Sequence, residues 1–170
     1  MSEREMLEKL LSEDTGRGDV EPPIASSIGE QMLLMGLRTM PRSMRARIRD
    51  IVSRVPSGDV LLVGGGIGHL SAWLLDLWCG GDSEEERGKS RKPDSFIIIE
   101  EGARFGVIID RLIRRYEAEG WARVVGNPWS EAIAEAMTWS VASASLPESA
   151  RPSSIPTGLD LVIIDLPDQE

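Results

Sequence analysis

The stretch "DVLLVGGGIGHLSAWLLDL", Asp59 to Leu77, decides how this chain folds. An apolar run, Asp59 to Val63, enters a cluster of four glycines within five residues: Gly64, Gly65, Gly66 and Gly68. Beyond them the apolar residues recur at helical spacing. A continuous apolar run bounded by glycine is what a parallel strand covered on both faces requires. Leu70 to Trp78 then predicts a helix. A bend this bare needs a cause: positive φ angles, or a group that approaches the backbone too closely for a Cβ.

Outward from that bend the chain alternates. "SFIIIE" (Ser95 to Glu100) predicts a second buried strand. "ARFGVIIDRLIRRYEAEG" predicts a helix with Phe105, Ile108, Leu112 and Tyr116 toward the core and Gly120 as its stop. "ARVVG" (Ala122 to Gly126) predicts a third strand, and Ser130 caps a helix to about Val141. "LDLVIID" (Leu159 to Asp165) predicts a fourth strand. Strand and helix in strict alternation are the mark of a doubly wound, Rossmann-like, mainly parallel α/β sheet. Ligands of such sheets bind beyond the carboxyl ends of the strands, where strand order reverses.

Before the first strand the pattern is helical. Ser2 to Glu13 carries Met6, Leu7, Leu10 and Leu11 on one stripe; further helices are expected near Ile28 to Thr39 and after Pro41. In the last of these, Arg45, Arg47, Arg49 and Arg54 read as a solvated face, with an anion-binding patch as the sharper alternative. The chain divides into a helical segment, 1–56, packed on an α/β core, 57–170. The stretches Gly80 to Asp94 and "SASLPESARPSSIPTG" read as exposed loops.

With 170 residues and 41% hydrophobic residues, the chain has material for one ordinary core. A net charge of −9 argues against a nucleic-acid partner, since phosphate backbones reward basic surfaces. Neither a transmembrane run nor a signal peptide is legible, so a cytoplasmic domain with no membrane partner is expected. One cysteine, Cys79, and one histidine, His69, exclude an internal disulfide and any multi-histidine or cysteine-built metal cluster. Any metal would be a hard cation on carboxylates.

Two nucleotide-type readings compete for the bend, beside the plainer account of a structural glycine turn with no ligand. A dinucleotide fold wants G-x-G-x-x-G, but its third glycine position holds His69, and no G-K-[ST] follows for a phosphate loop. The G-x-G-x-G spacing of Gly64, Gly66 and Gly68, with a strand before and a helix after, resembles the first motif of the class I S-adenosylmethionine-dependent methyltransferases. The resemblance spans Pro22 to Asp168, with its specific part in four short blocks. It implies that Gly64, Gly65, Gly66 and Gly68 run beneath the methionine and ribose parts of the cofactor. It further implies that Glu100 accepts hydrogen bonds from the ribose hydroxyls, with Glu101 taking the role in a shifted register. In "VVGNPW" it gives Asn127 to the adenine amino group; Trp129 covers the adenine or, as the plainer account, belongs to the core.

Within the class, "PPIASSIGEQMLL" and "LDLVIIDLPD" resemble the small O-methyltransferases of the catechol and caffeoyl-CoA type. That implies a small-molecule methyl acceptor, and a divalent cation held by Asp165 with Asp168 as a second carboxylate. Asp165 would be the catalytic, acceptor-side residue; its plainer account is a strand-terminal loop carboxylate. His69 is expected to begin its helix and face the cofactor carboxylate or solvent, a general base being the alternative.

Three departures qualify the resemblance. Leu62 stands where the family places an acidic residue, Asn127 where it places an aspartate, and the sequence ends just after the fourth strand. An apolar fourth strand at a sheet edge would leave unpaired backbone groups exposed. The reading is therefore of a fragment, or of a shortened and degenerate relative serving as an interaction module. A homodimer on the fourth-strand edge would favour the latter. A nicotinamide-dependent oxidoreductase is the third reading.

Overall fold

The structure is a computed structural model and describes residues 5, 20–55, 58–80, 92–142, 145, 147, 155–156 and 158–166. Its elements in chain order are α1 (Pro23–Leu34), α2 (Arg42–Arg54), β1 (Asp59–Val63), α3 (His69–Cys79), β2 (Ser95–Ile99), α4 (Ala103–Arg115), β3 (Ala122–Val125), α5 (Trp129–Ala142) and β4 (Leu161–Ile164). The expected helix over Ser2 to Glu13 apart from Glu5, most of the two expected loops, and Asp168 lie outside the described residues.

The four strands form one parallel sheet in the order β3-β2-β1-β4. β1 pairs with β2 from Asp59↔Ser95 to Val63↔Ile99, and with β4 from Val60↔Leu161 to Val63↔Ile164. From β1 the chain winds outward through β2 to β3, then crosses back to lay β4 on the far side of β1. That reversal puts the switch point between the carboxyl ends of β1 and β4. The arrangement is Rossmann-like and doubly wound, as the alternation predicts.

Both sheet faces are covered, which is why β1 and β2 read as unbroken apolar runs. Val60, Leu62, Phe96 and Ile98 face one core with α1, α2, α3 and α4. Leu61, Val63, Ile97 and Ile99 face a second core with Ala132, Ile133 and Ala136 of α5 and with Ile155. Trp78 packs edge-on against Phe96 and Trp121, with ring centroids 5.0 and 5.8 Å apart.

Four boundaries depart from expectation, the first three for a local reason. α1 starts at Pro23 rather than near Ile28, because a helix's first turn has spare N–H groups and tolerates proline. It stops at Gly36 (φ +69°) rather than Thr39. There Gly36 N–H donates to Leu33 O and Leu37 N–H to Met32 O, the paired bonds of a Schellman closure. α4 closes in the same way before Gly120: Glu117 (φ 54°) donates to Arg114 O, and Ala118 to Ile113 O. Ile109 and Ile113 are its most buried side chains, along with the expected Leu112; Phe105, Ile108 and Tyr116 pack around them partly buried. At α5, Ser130 lies inside the first turn instead of capping it, and Trp129 is 43% exposed, so it is not a core tryptophan.

Candidate functional site

The β1–α3 bend lies at the switch point, and its glycines answer to different neighbours. Gly64, Gly66 and Gly68 have φ of 90°, 55° and 95°, a region that side-chain-bearing residues enter only under strain. Gly64 sits against the carbonyl of Asp165, so that carbonyl occupies the space of its Cβ. A Cβ on Gly65 would lie 2.6 Å from both Ile109 and Ile98, and one on Gly68 would lie 2.8 Å from Leu112. Gly66 alone opens outward, with no described atom within 4 Å of the Cβ position. Most of the missing side chains are thus demanded by the protein's own packing, and the room for a ligand narrows to Gly66.

Glu100 is at that opening. Its Oε2 accepts the Gly66 N–H at 2.6 Å and its Oε1 accepts the Gly102 N–H at 2.9 Å. The carboxylate therefore braces the bend against the loop after β2. A carboxylate offers about four lone-pair sites, so capacity for further donors remains. Glu101 is exposed. Asn127, beyond the carboxyl end of β3, is exposed on the same rim of the sheet.

Asp165 follows β4, and its N–H donates to Val63 O at 2.8 Å. Burial raises the pKa of its carboxyl, and the positive charge of Arg45 opposes that rise. The cation implied for this position gains no support from the described residues. Among the described residues no group of three His, Cys, Asp or Glu side chains is placed to hold an ion, and the charge in reach of Asp165 is a guanidinium.

The most heavily connected polar group was not legible as a site residue. Glu21, just before α1, has a side chain only 10% exposed. Its Oε1 accepts from His69 Nε2 at 2.8 Å, Arg45 Nη2 at 2.9 Å and Trp73 Nε1 at 3.1 Å, while Arg42 Nε lies 3.7 Å from Oε2. Burial would push the Glu21 carboxyl up, but the hydrogen bonds from His69 and Trp73 and the charges of Arg45 and His69 outweigh it and lower its pKa. His69 is buried against Glu21 and Gly29 rather than turned to solvent. Burial and the charge of Arg45 lower its pKa against the opposing pull of Glu21, and its Nε2 hydrogen-bonds the carboxylate. Arg45, expected on a solvated face, is 5% exposed; it donates to Met40 O and Glu21, while its Nε has no described partner. A signal for it existed: Arg45, Ile48 and Val52 fall on one helical stripe.

No protein-family model matches the chain, and no curated protein matches it. Among solved structures, it is similar to the C-terminal domain of precorrin-6Y C5,15-methyltransferase from Rhodobacter capsulatus, at 22% identity and a TM-score of 0.39. That match covers 65% of this chain and 46% of the other, so the chain spans less than half of that structure's length. The likeness is too slight to carry activity across. The sheet order and its crossovers define the class: a doubly wound α/β domain with a glycine bend at its switch point.

Proposed function

We propose that this chain is the cofactor-binding domain of an S-adenosylmethionine-dependent methyltransferase that transfers methyl to the hydroxyl of a small molecule. One observation carries the reading: a carboxylate from the end of β2 seated on the one bend glycine that opens outward. The residues fit such a cofactor. Gly66 leaves bare backbone against which an adenosyl group can lie, and Glu100 has acceptor capacity for a vicinal diol. Asn127 offers a side-chain carbonyl to an exocyclic amine on the same rim. When bound, the cofactor supplies an electrophilic sulfonium methyl.

The remaining chemistry falls to Asp165. A half-buried carboxylate with a raised pKa is a stronger base than an exposed one, so Asp165 is the proposed acceptor of the hydroxyl proton. Arg45 stabilises its ionised form. No step is assigned to a metal ion. Glu101 and Gly65 have no assigned contact with the ligand.

Titration calorimetry with S-adenosylhomocysteine tests the reading. Binding at micromolar to millimolar ligand is expected, and Glu100→Ala weakens it by about 1.5–3 kcal/mol, the range for charged hydrogen bonds. A wild-type chain silent at millimolar ligand would overturn the proposal.

A second reading, an interaction module that keeps the fold without the chemistry, is favoured by β4. Val162 and Ile164 on it and Leu166 just after it are exposed, and among the described residues β4 pairs on one flank only, with β1. Sedimentation separates the two: self-association abolished by Ile164→Lys supports the module, and a monomer with measurable cofactor affinity supports the enzyme.

A further inference from the structure

We infer that Glu21 is a positioning residue for the cofactor bend, tying the helical segment to the core so that the bend is set before any ligand arrives. The inference rests on the cofactor reading for its ligand, and on the polar cluster for everything else.

The bend has no side-chain cap of its own. Gly68 is the N-cap of α3, and a glycine there leaves the first turn without a capping oxygen. Glu21 supplies a distant substitute. His69 and Trp73 are one turn apart on α3, and both donate to the same carboxylate oxygen. Two points of attachment on one helix fix its rotation as well as its position. Arg45 and Arg42 bring α2 to the same carboxylate, and Gly29 of α1 closes on the His69 ring at Cβ distances of 3.2 Å, where only glycine fits comfortably.

The bend is therefore held between two carboxylates. Glu100 grips the Gly66 N–H from the β2 side, and Glu21 grips the residue after Gly68 from the N-terminal side. A segment held this way has already lost the freedom that ligand binding would otherwise cost, and that is how preorganisation raises affinity. Truncating Glu21 leaves Glu100 and the opening at Gly66 chemically intact but unhooks α3. It also strands Arg45, whose Nε is already unpartnered.

The test compares Glu21→Ala, Glu21→Gln, His69→Leu and His69→Gln with Val52→Ala, a buried α2 change outside the polar cluster that lowers stability by packing alone. S-adenosylhomocysteine affinity is measured well below each variant's melting temperature, alongside hydrogen exchange at the Gly66, Gly68 and His69 amides. Glu21→Ala and His69→Leu are expected to bind about tenfold more weakly, the scale of one charge-assisted hydrogen bond. His69→Gln, which retains an N–H donor, stays within about threefold of wild type, and Val52→Ala binds as wild type. Should Glu21→Ala not fold, Glu21→Gln and His69→Leu carry the comparison. Equal affinity in all variants would overturn the inference. If the wild-type chain binds nothing, the cofactor reading falls and exchange alone judges the tie. Bend amides that exchange about tenfold faster in His69→Leu than in Val52→Ala uphold it, and equal rates refute it.

Discussion

β1 and β4 lie side by side in one register yet meet opposite surroundings. Val63 is buried, while Ile164, its partner across the ladder, is 67% exposed. The sequences "DVLLV" and "LVII" are equally apolar. The difference comes from neighbours: β1 has a strand on each flank and helices over both faces, while among the described residues β4 has a strand on one flank only and α5 does not reach over Val162 and Ile164. Apolar content says that a strand can be buried; topology says whether it is.

The largest effect should separate these strands directly. Leu62→Ala is expected to cost about 2–5 kcal/mol in urea unfolding, the range for emptying a packed core site. Ile164→Ala should stay within about 0.5 kcal/mol, as for surface changes. Comparable costs would mean that β4 is covered in solution, and the contrast would dissolve.

Next in size is a pair within the bend. Gly68→Ala meets both a φ of 95° and Leu112, so a loss of about 1–3 kcal/mol is expected. Gly66→Ala meets only the backbone cost, about 1–2 kcal/mol, but places a methyl in the opening. Calorimetry should find cofactor binding lost out of proportion to stability at Gly66. Proportionate losses at both positions would remove Gly66 as the ligand-facing residue.

A pH series sharpens the comparison of two carboxylates in opposed surroundings, Glu21 and Asp165. Glu21 has a folded pKa below its ordinary 4.5, so its stabilisation is complete above that value and disappears as pH falls through the folded pKa. Asp165 is raised above 3.8, so its ionised form burdens the fold near neutrality and protonation relieves it. Thermal melts at pH 7 should therefore show Glu21→Gln lowering the melting temperature and Asp165→Asn raising it, with both differences shrinking at acid pH. Shifts of the same sign would contradict the opposed environments. Stability gained at the expense of activity is common where a group is kept for chemistry.

The smallest effect lies away from the site. Glu117→Gly should stabilise by about 1 kcal/mol, because glycine accepts a left-handed angle that costs other residues that much. Gly36 performs the same closure at α1 and shows what a relieved position looks like.

These contrasts mark what a single sequence discloses. β1 was readable to the residue because an apolar run stops at glycine. The strand–helix alternation gave the class because local periodicity survives whatever packs around it. The α1 start was displaced because two prolines read as a break although they suit a first turn. Glu21 and Arg45 stayed hidden for a deeper reason. A charged side chain is buried only when partners meet it, and the partners of Glu21 lie 24, 48 and 52 residues away. The bend's glycines were legible as special, but not that three of them answer mainly to Asp165, Ile98, Ile109 and Leu112.

The last-made strand pairing has a consequence for biosynthesis. β1 is extruded first yet belongs at the middle of the sheet, and its contact with the β4 end, as in the Asp59 N–H bond to Asp160, spans 101 residues. On a ribosome, β1 and β2 can zip together early, while one edge of β1 waits through the synthesis of two further helices and a strand. Long-range parallel closure of this kind is intrinsically slow. The exposed flank of "DVLLV" in that interval is where nascent chains would be expected to stick, and where a chaperone would have its best hold.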